Sequence, residues 1–127
     1  MPNNFLWPPD LAPAAVQAPC RPRGRAALTL LPTTPSTNDR AAQGRGAGLV
    51  VADSQAAGRG RRGRSWQSPA GANLYWSARL PAGGWAGAPG WLPLLAGLAL
   101  AQALERAGVR GLALKWPNDV LDEQRRK

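Results

Sequence analysis

The hydrophobic positions of this chain fall into short blocks separated by glycine, proline and polar runs. Residues 25–31 (RAALTLL), bounded by Gly24 and Pro32, predict a short first strand. Ser36, Thr37, Asn38 and Asp39 are helix-start residues ahead of an Ala/Gln turn, and Gly44 and Gly46 supply a stop, so a short helix is expected over 37–43. Residues 48–52 (GLVVA) form an unbroken Val-rich run, the pattern of a strand covered on both faces. Residues 73–80 (NLYWSARL), between Gly71 and Pro81, predict another strand. Trp91, Leu94, Leu95, Leu98 and Leu104 recur near helical period, which predicts a helix over 91–107, capped by Gly108 and packed on a sheet. Residues 111–116 (GLALKW) are a further apolar run that Pro117, Asn118 and Asp119 end in a turn. Residues 120–127 are expected to open a hairpin whose second strand is absent. No internal repeat is visible.

The mixture of strands and helices predicts an α+β fold. Proline recurs through residues 1–35, which argues against long helix and central strand alike, so 1–27 reads as an irregular leader. The rest, 28–127, is long enough for one domain.

Composition narrows the function classes. The single cysteine, Cys20, has no partner and the chain has no histidine, which excludes a disulfide scaffold and Cys/His zinc sites and fits a reducing cytoplasm. Residues 1–10 lack the charge and apolar core of a signal peptide. The uncharged stretch 80–104 is broken by Pro81, Gly83, Gly84, Gly87, Pro89 and Gly90, too often for a membrane span. A net charge of +9, from 16 Lys+Arg against 7 Asp+Glu, calls for an anionic partner such as a nucleotide, a phosphate or a nucleic acid.

Three motifs carry candidate chemistry. Residues 58–64 (GRGRRGR) set four arginines among three glycines ahead of Trp66; glycine lets backbone N–H groups approach an anion, and guanidinium forks add directed charge. Such a loop suits a phosphoanhydride or acyl phosphate, and equally a nucleic-acid backbone or plain solvent. In residues 115–119 (KWPND), Lys115 stands at the C-terminal end of an apolar strand, where open sheets present ligands and where a cation can neutralise a transferring phosphoryl group. A snorkelling lysine before an ordinary turn is the alternative. Ser36-Thr37-Asn38 serves at least as a helix cap.

Taken in order, STN, a strand, DSQAAGRGRRGRSWQSPAGANLYWS, a helix and LKWPNDV resemble the N-terminal half of the biotin protein ligase catalytic domain over residues 28–121. The resemblance implies the mixed sheet flanked by helices that this family shares with class II aminoacyl-tRNA synthetases. It also implies a two-step reaction: biotin and ATP, with Mg²⁺, give biotinyl-5′-adenylate, and the biotinyl group then passes to a lysine of a biotin carboxyl carrier protein or biotin-dependent carboxylase.

By matching motif, Ser36, Thr37, Asn38 and Gln55 would contact biotin; Arg59, Gly60 and Arg61 would cover biotin and the adenylate phosphate; Lys115 would meet both reacting groups. Lys115, Arg59 and Arg61 are thus the expected catalytic cations. Gly58, Arg62, Gly63, Arg64 and Trp66 complete the adenylate loop and its packing, Asn118 and Asp119 shape the turn with a place near Mg²⁺ left open, and no residue is assigned as a metal ligand. The resemblance allows a homodimer. It also implies a catalytic domain that continues past Lys127, so this polypeptide alone is expected to expose a sheet edge and to be aggregation-prone. The proline-rich start leaves no room for a DNA-binding winged helix, so operator binding is not expected. A basic nucleic-acid-binding module and a lipoate or octanoate transferase relative are the competing readings; the first leaves KWPND and STN unexplained.

Overall fold

The computed structural model describes residues 26–81, 83 and 87–122. Of the expected leader over 1–27, residues 1–25, with Cys20, lie outside the described residues, as do 82, 84–86 and 123–127, while Ala27 already belongs to a strand. The elements fall into two compact units, 1–83 and 84–127, and mix sheet with helix as the α+β reading requires.

The first unit is a four-stranded sheet built on one long strand. β1 (Ala27–Thr34) runs parallel to β2 (Gly48–Arg59), from the Ala27↔Gly48 pair to Thr34↔Gln55. Two strands share the other edge of β2, both antiparallel: β4 (Tyr75–Arg79) on residues 48–52 and β3 (Ser65–Ser68) on residues 55–59. The connection between β1 and β2 holds α1 (Thr37–Ala42), which packs on β2 and β4. Val50, Val51, Ala52 and Asp53 are buried in sequence, as expected of a strand flanked on both edges and covered.

Three boundaries differ from the sequence pattern. β1 runs through Pro32 to Thr34, because among the described residues it pairs with β2 alone and an edge strand has no neighbour to miss the proline N–H. β2 continues seven residues past the apolar run, through polar Asp53, Ser54 and Gln55 and into Gly58 and Arg59, which were expected in the loop. Pairing with β1 on one side and β3 on the other overrides the weak strand propensity of that segment. β3 itself has no apolar signature and was not anticipated; it is the return limb of the Arg/Gly hairpin.

In the second unit a 3₁₀ turn (Pro89–Trp91) leads into α2 (Leu92–Arg106). Gly108 ends it as expected: at φ +95° it lets its own N–H reach Glu105 O and the Val109 N–H reach Leu104 O, each at 3.0 Å, the two bonds of a Schellman cap. α2 contacts a hairpin of β5 (Ala113–Lys115) and β6 (Asp119–Leu121). The KWPND segment is therefore the turn of this hairpin, with Lys115 and Asp119 opposite one another and a cis Trp116–Pro117 bond. Residues 120 and 121, expected to open a further hairpin, are here the return limb of this one, and 123–127 lie outside the described residues. Among the described residues no helix is long and apolar enough to cross a membrane.

Candidate functional site

The first unit contains a solvent-open cleft of about 260 Å³, just under the lower end, about 300 Å³, of small-molecule sites. Its wall brings together Ser36, Thr37 and Asn38 at the start of α1, Gln55 and Arg59 on β2, and Trp66 on β3, with 74–77 completing it. Every expected biotin contact from the STN motif thus shares one cleft with Gln55 and Arg59.

Local structure explains the convergence. Ser36, in an extended conformation, caps α1: its Oγ accepts from the Asp39 N–H at 3.4 Å and its carbonyl accepts from the Arg40 N–H at 3.1 Å. The Ala57 N–H donates to Pro35 O at 2.9 Å, holding the strand end against the residue that precedes the cap. Gln55 Oε1 accepts from both donors of Thr37, the backbone N–H at 2.8 Å and Oγ1 at 3.0 Å. Because a backbone N–H can only donate, the Gln55 amide is locked with its oxygen toward the helix, and its Nε2 donates to Ser68 Oγ at 3.0 Å. That bond uses one of two Nε2 protons.

The Arg/Gly loop is a tight hairpin turn. The Gly60 N–H donates to Arg64 O at 2.7 Å, a 3₁₀ turn covers Arg61–Gly63, and Arg62 and Gly63 take left-handed φ values of +59° and +73°. Arg61, Arg62 and Arg64 are exposed, as is Trp66 at 52%. Gly58 is required for a different reason from loop flexibility: a Cβ there would lie 2.7 Å from Trp66 O and 2.8 Å from Ser68 Oγ, so only glycine lets β2 and β3 close. Arg59 is paired with Asp39 of α1.

Ser68 and Ser77, both buried and both bonded to cleft residues, were not anticipated. Serine in a strand carries no sequence signal for such a role; only the register of β3 and β4 on β2 brings Ser77 to the cleft wall and Ser68 to Gln55 behind it. Asp53 was also passed over. Its Oδ1 accepts the Gly71 N–H at 2.9 Å, anchoring the connection from β3 to β4, while its buried Oδ2 has no partner.

Lys115 belongs to the second unit, at the end of β5 as the pattern predicts, with an exposed side chain. Residues 114–119 line a smaller hollow there with Pro93, Leu94 and Gly97 of α2. Among the described residues no group of three or more His, Cys, Asp or Glu side chains is placed to hold a metal ion.

The model of the biotin/lipoate A/B protein ligase family matches residues 30–127. The chain is 46% identical over 99 residues to the bifunctional ligase/repressor BirA of Salmonella typhimurium, covering 73% of this chain and 30% of that protein. It is 47% identical over 98 residues to a biotin--[acetyl-CoA-carboxylase] ligase of Paracoccus denitrificans, covering 72% and 40%. The solved biotin protein ligase from Aquifex aeolicus in complex with biotin and ATP matches with a TM-score of 0.66 and 38% identity, over 74% of this chain and 40% of that one. The chain therefore spans between 30% and 40% of the length of these proteins.

Proposed function

Because the chain belongs to the biotin/lipoate A/B protein ligase family, we propose that it carries the biotin-binding part of an ATP-dependent biotin protein ligase. The observation that carries this reading is the single cleft formed by Ser36, Thr37, Asn38, Gln55, Arg59 and Trp66. The biotin ligases among its relatives favour biotin over lipoate as the acid.

A carboxylate does not react with an amine until one of its oxygens becomes part of a good leaving group. In the proposed first step the biotin carboxylate attacks the α-phosphate of ATP, forming biotinyl-5′-adenylate and releasing pyrophosphate. In the second, a lysine amine of a biotin carboxyl carrier protein attacks the acyl carbon and AMP departs. Ser36, Thr37, Asn38 and Gln55 bind the biotin head through hydrogen bonds, with the free Nε2 proton of Gln55 as one donor. Arg59 and Arg61 with Gly60, and Lys115, offset the negative charge that builds on the phosphoryl oxygens. Gly58, Arg62, Gly63 and Arg64 shape the turn that orders over the acyl phosphate, and the half-exposed indole of Trp66 packs on the nucleotide. Closing over the mixed anhydride excludes water that would hydrolyse it. Mg²⁺ enters with ATP as part of the substrate, bound chiefly by its phosphates. Such a reaction belongs in the cytoplasm, where its carrier and ATP are found.

Calorimetric titration with biotin and MgATP, with mass spectrometry for biotinyl-adenylate, tests the reading. Saturable biotin binding, with adenylate that disappears in Lys115→Ala, is expected. Salt-sensitive binding of polynucleotide together with indifference to biotin would overturn it in favour of a nucleic-acid module.

A further inference from the structure

α1 has only six residues, too few to hold a helix in water by itself, so the orientation of the side chains at its start has to come from tethers to the sheet. Ser36 supplies a local cap and Gln55 ties Thr37 to β2. A third tether comes from β4. Ser77, buried at 8% exposure, has its Oγ 2.8 Å from Thr37 Oγ1 and 2.7 Å from Asn38 Oδ1. It pairs with Val50, within the most deeply buried stretch of β2, so its own backbone is held by the sheet ladder.

These contacts form one row. Thr37 Oγ1 donates to Gln55 Oε1, Gln55 Nε2 donates to Ser68 Oγ, and Ser77 closes the other end. Each hydroxyl carries a single proton, so the direction in which one is given constrains the next. With the Thr37 proton given to Gln55, Thr37 Oγ1 and Asn38 Oδ1 both face Ser77 as acceptors, so its one proton is shared between them in a bifurcated bond that ties Thr37 and Asn38 to the same buried hydroxyl.

We propose that Ser77 is a positioning residue for the cleft: its hydroxyl holds Thr37 and Asn38 in the rotamers that face the ligand and, through Thr37, steadies the amide of Gln55. The inference rests on the reading of this cleft as the biotin site.

The test uses the whole chain and biotin as the probe, with circular dichroism to establish folding. Ser77→Ala is expected to weaken biotin binding by about fivefold to tenfold, the worth of one buried hydrogen bond, and Ser77→Thr, which keeps the hydroxyl, to restore most of it. Where alanine does not fold, Ser77→Cys keeps the size and weakens the bond, and the same direction is expected. In a Thr37→Val background the Ser77→Ala loss should shrink, because the group through which it acts is gone. Unchanged affinity in folded Ser77→Ala, or strictly additive losses in the double variant, would overturn the proposal. If the wild-type chain binds no biotin, the reading of the cleft fails instead. Nuclear magnetic resonance then decides the positioning role: averaging of the Thr37 χ1 couplings and of the Asn38 side-chain amide in Ser77→Ala supports it, and wild-type values overturn it.

Discussion

The guanidinium of Arg59, the last residue of β2, is ion-paired with the carboxylate of Asp39 in the first turn of α1. The pair joins the start of the Arg/Gly turn to the helix that carries the STN motif. Both side chains are about half exposed, 60% and 47%, so solvent screens the attraction and its contribution to stability is below about 1 kcal/mol. On the proposed reading a ligand phosphate competes with Asp39 for this guanidinium, and binding would draw Arg59 from Asp39.

Asp39→Asn should therefore leave the melting temperature nearly unchanged and tighten binding of a non-hydrolysable acyl-adenylate analogue by about twofold to fivefold. Titration at low and high salt provides the check, since the gain should fade as salt screens the competing charge. Weaker binding in the variant would mean that Asp39 holds Arg59 in its working position.

Gly58→Ala should be among the most damaging small substitutions in the first unit. The added methyl would meet Trp66 O and Ser68 Oγ at under 3 Å, and β2 and β3 would have to part. We expect a loss of about 1–3 kcal/mol in chemical denaturation, together with weaker nucleotide binding as Trp66 shifts. A stable variant with an unaltered Trp66 environment would show that the two strands tolerate wider spacing.

Asp53 makes a divided prediction. Asp53→Ala removes the acceptor of the Gly71 N–H and should cost about 1–3 kcal/mol. Asp53→Asn keeps an oxygen for that bond and replaces the unpartnered Oδ2 with an amide nitrogen, so its stability should stay within about 1 kcal/mol of wild type. Urea denaturation of the two variants separates these outcomes. Equal losses would show that the charge of Asp53 is needed.

Arg79 closes the opposite end of α1. Its guanidinium donates to the carbonyl oxygens of Ala41, Arg45 and Gly46, satisfying acceptors that the helix end and following turn leave free. Gly44 lies against it, where a Cβ would collide with the guanidinium. Arg79→Lys cannot reproduce a three-way fork and should lose about 1–2 kcal/mol, measurable by thermal denaturation. Wild-type stability in Arg79→Lys would mean that one carbonyl contact is enough.

Much of this was legible along the chain because the signals were local. Ser36 as a cap, Gly108 as a helix stop, the Val-rich start of β2 and Lys115 at a strand end all follow from a residue and its immediate neighbours. The family motifs were equally legible, since their residue types and order are properties of the sequence, and they brought Thr37, Asn38, Gln55 and Arg59 into one list before any cleft was known.

Tertiary structure decided what depends on pairing between distant segments. The polar half of β2 is a strand because β1 and β3 pair with its two edges, and β3 is one because it pairs with β2, facts no window of sequence contains. The pairing of β2 with β3 also turned Gly58 from a loop glycine into a packing requirement. Ser77 gained its place at the cleft wall, and Ser68 its place behind it, in the same way. A serine in a strand is chemically silent until the register of the sheet sets its single proton within reach of a side chain 40 residues away.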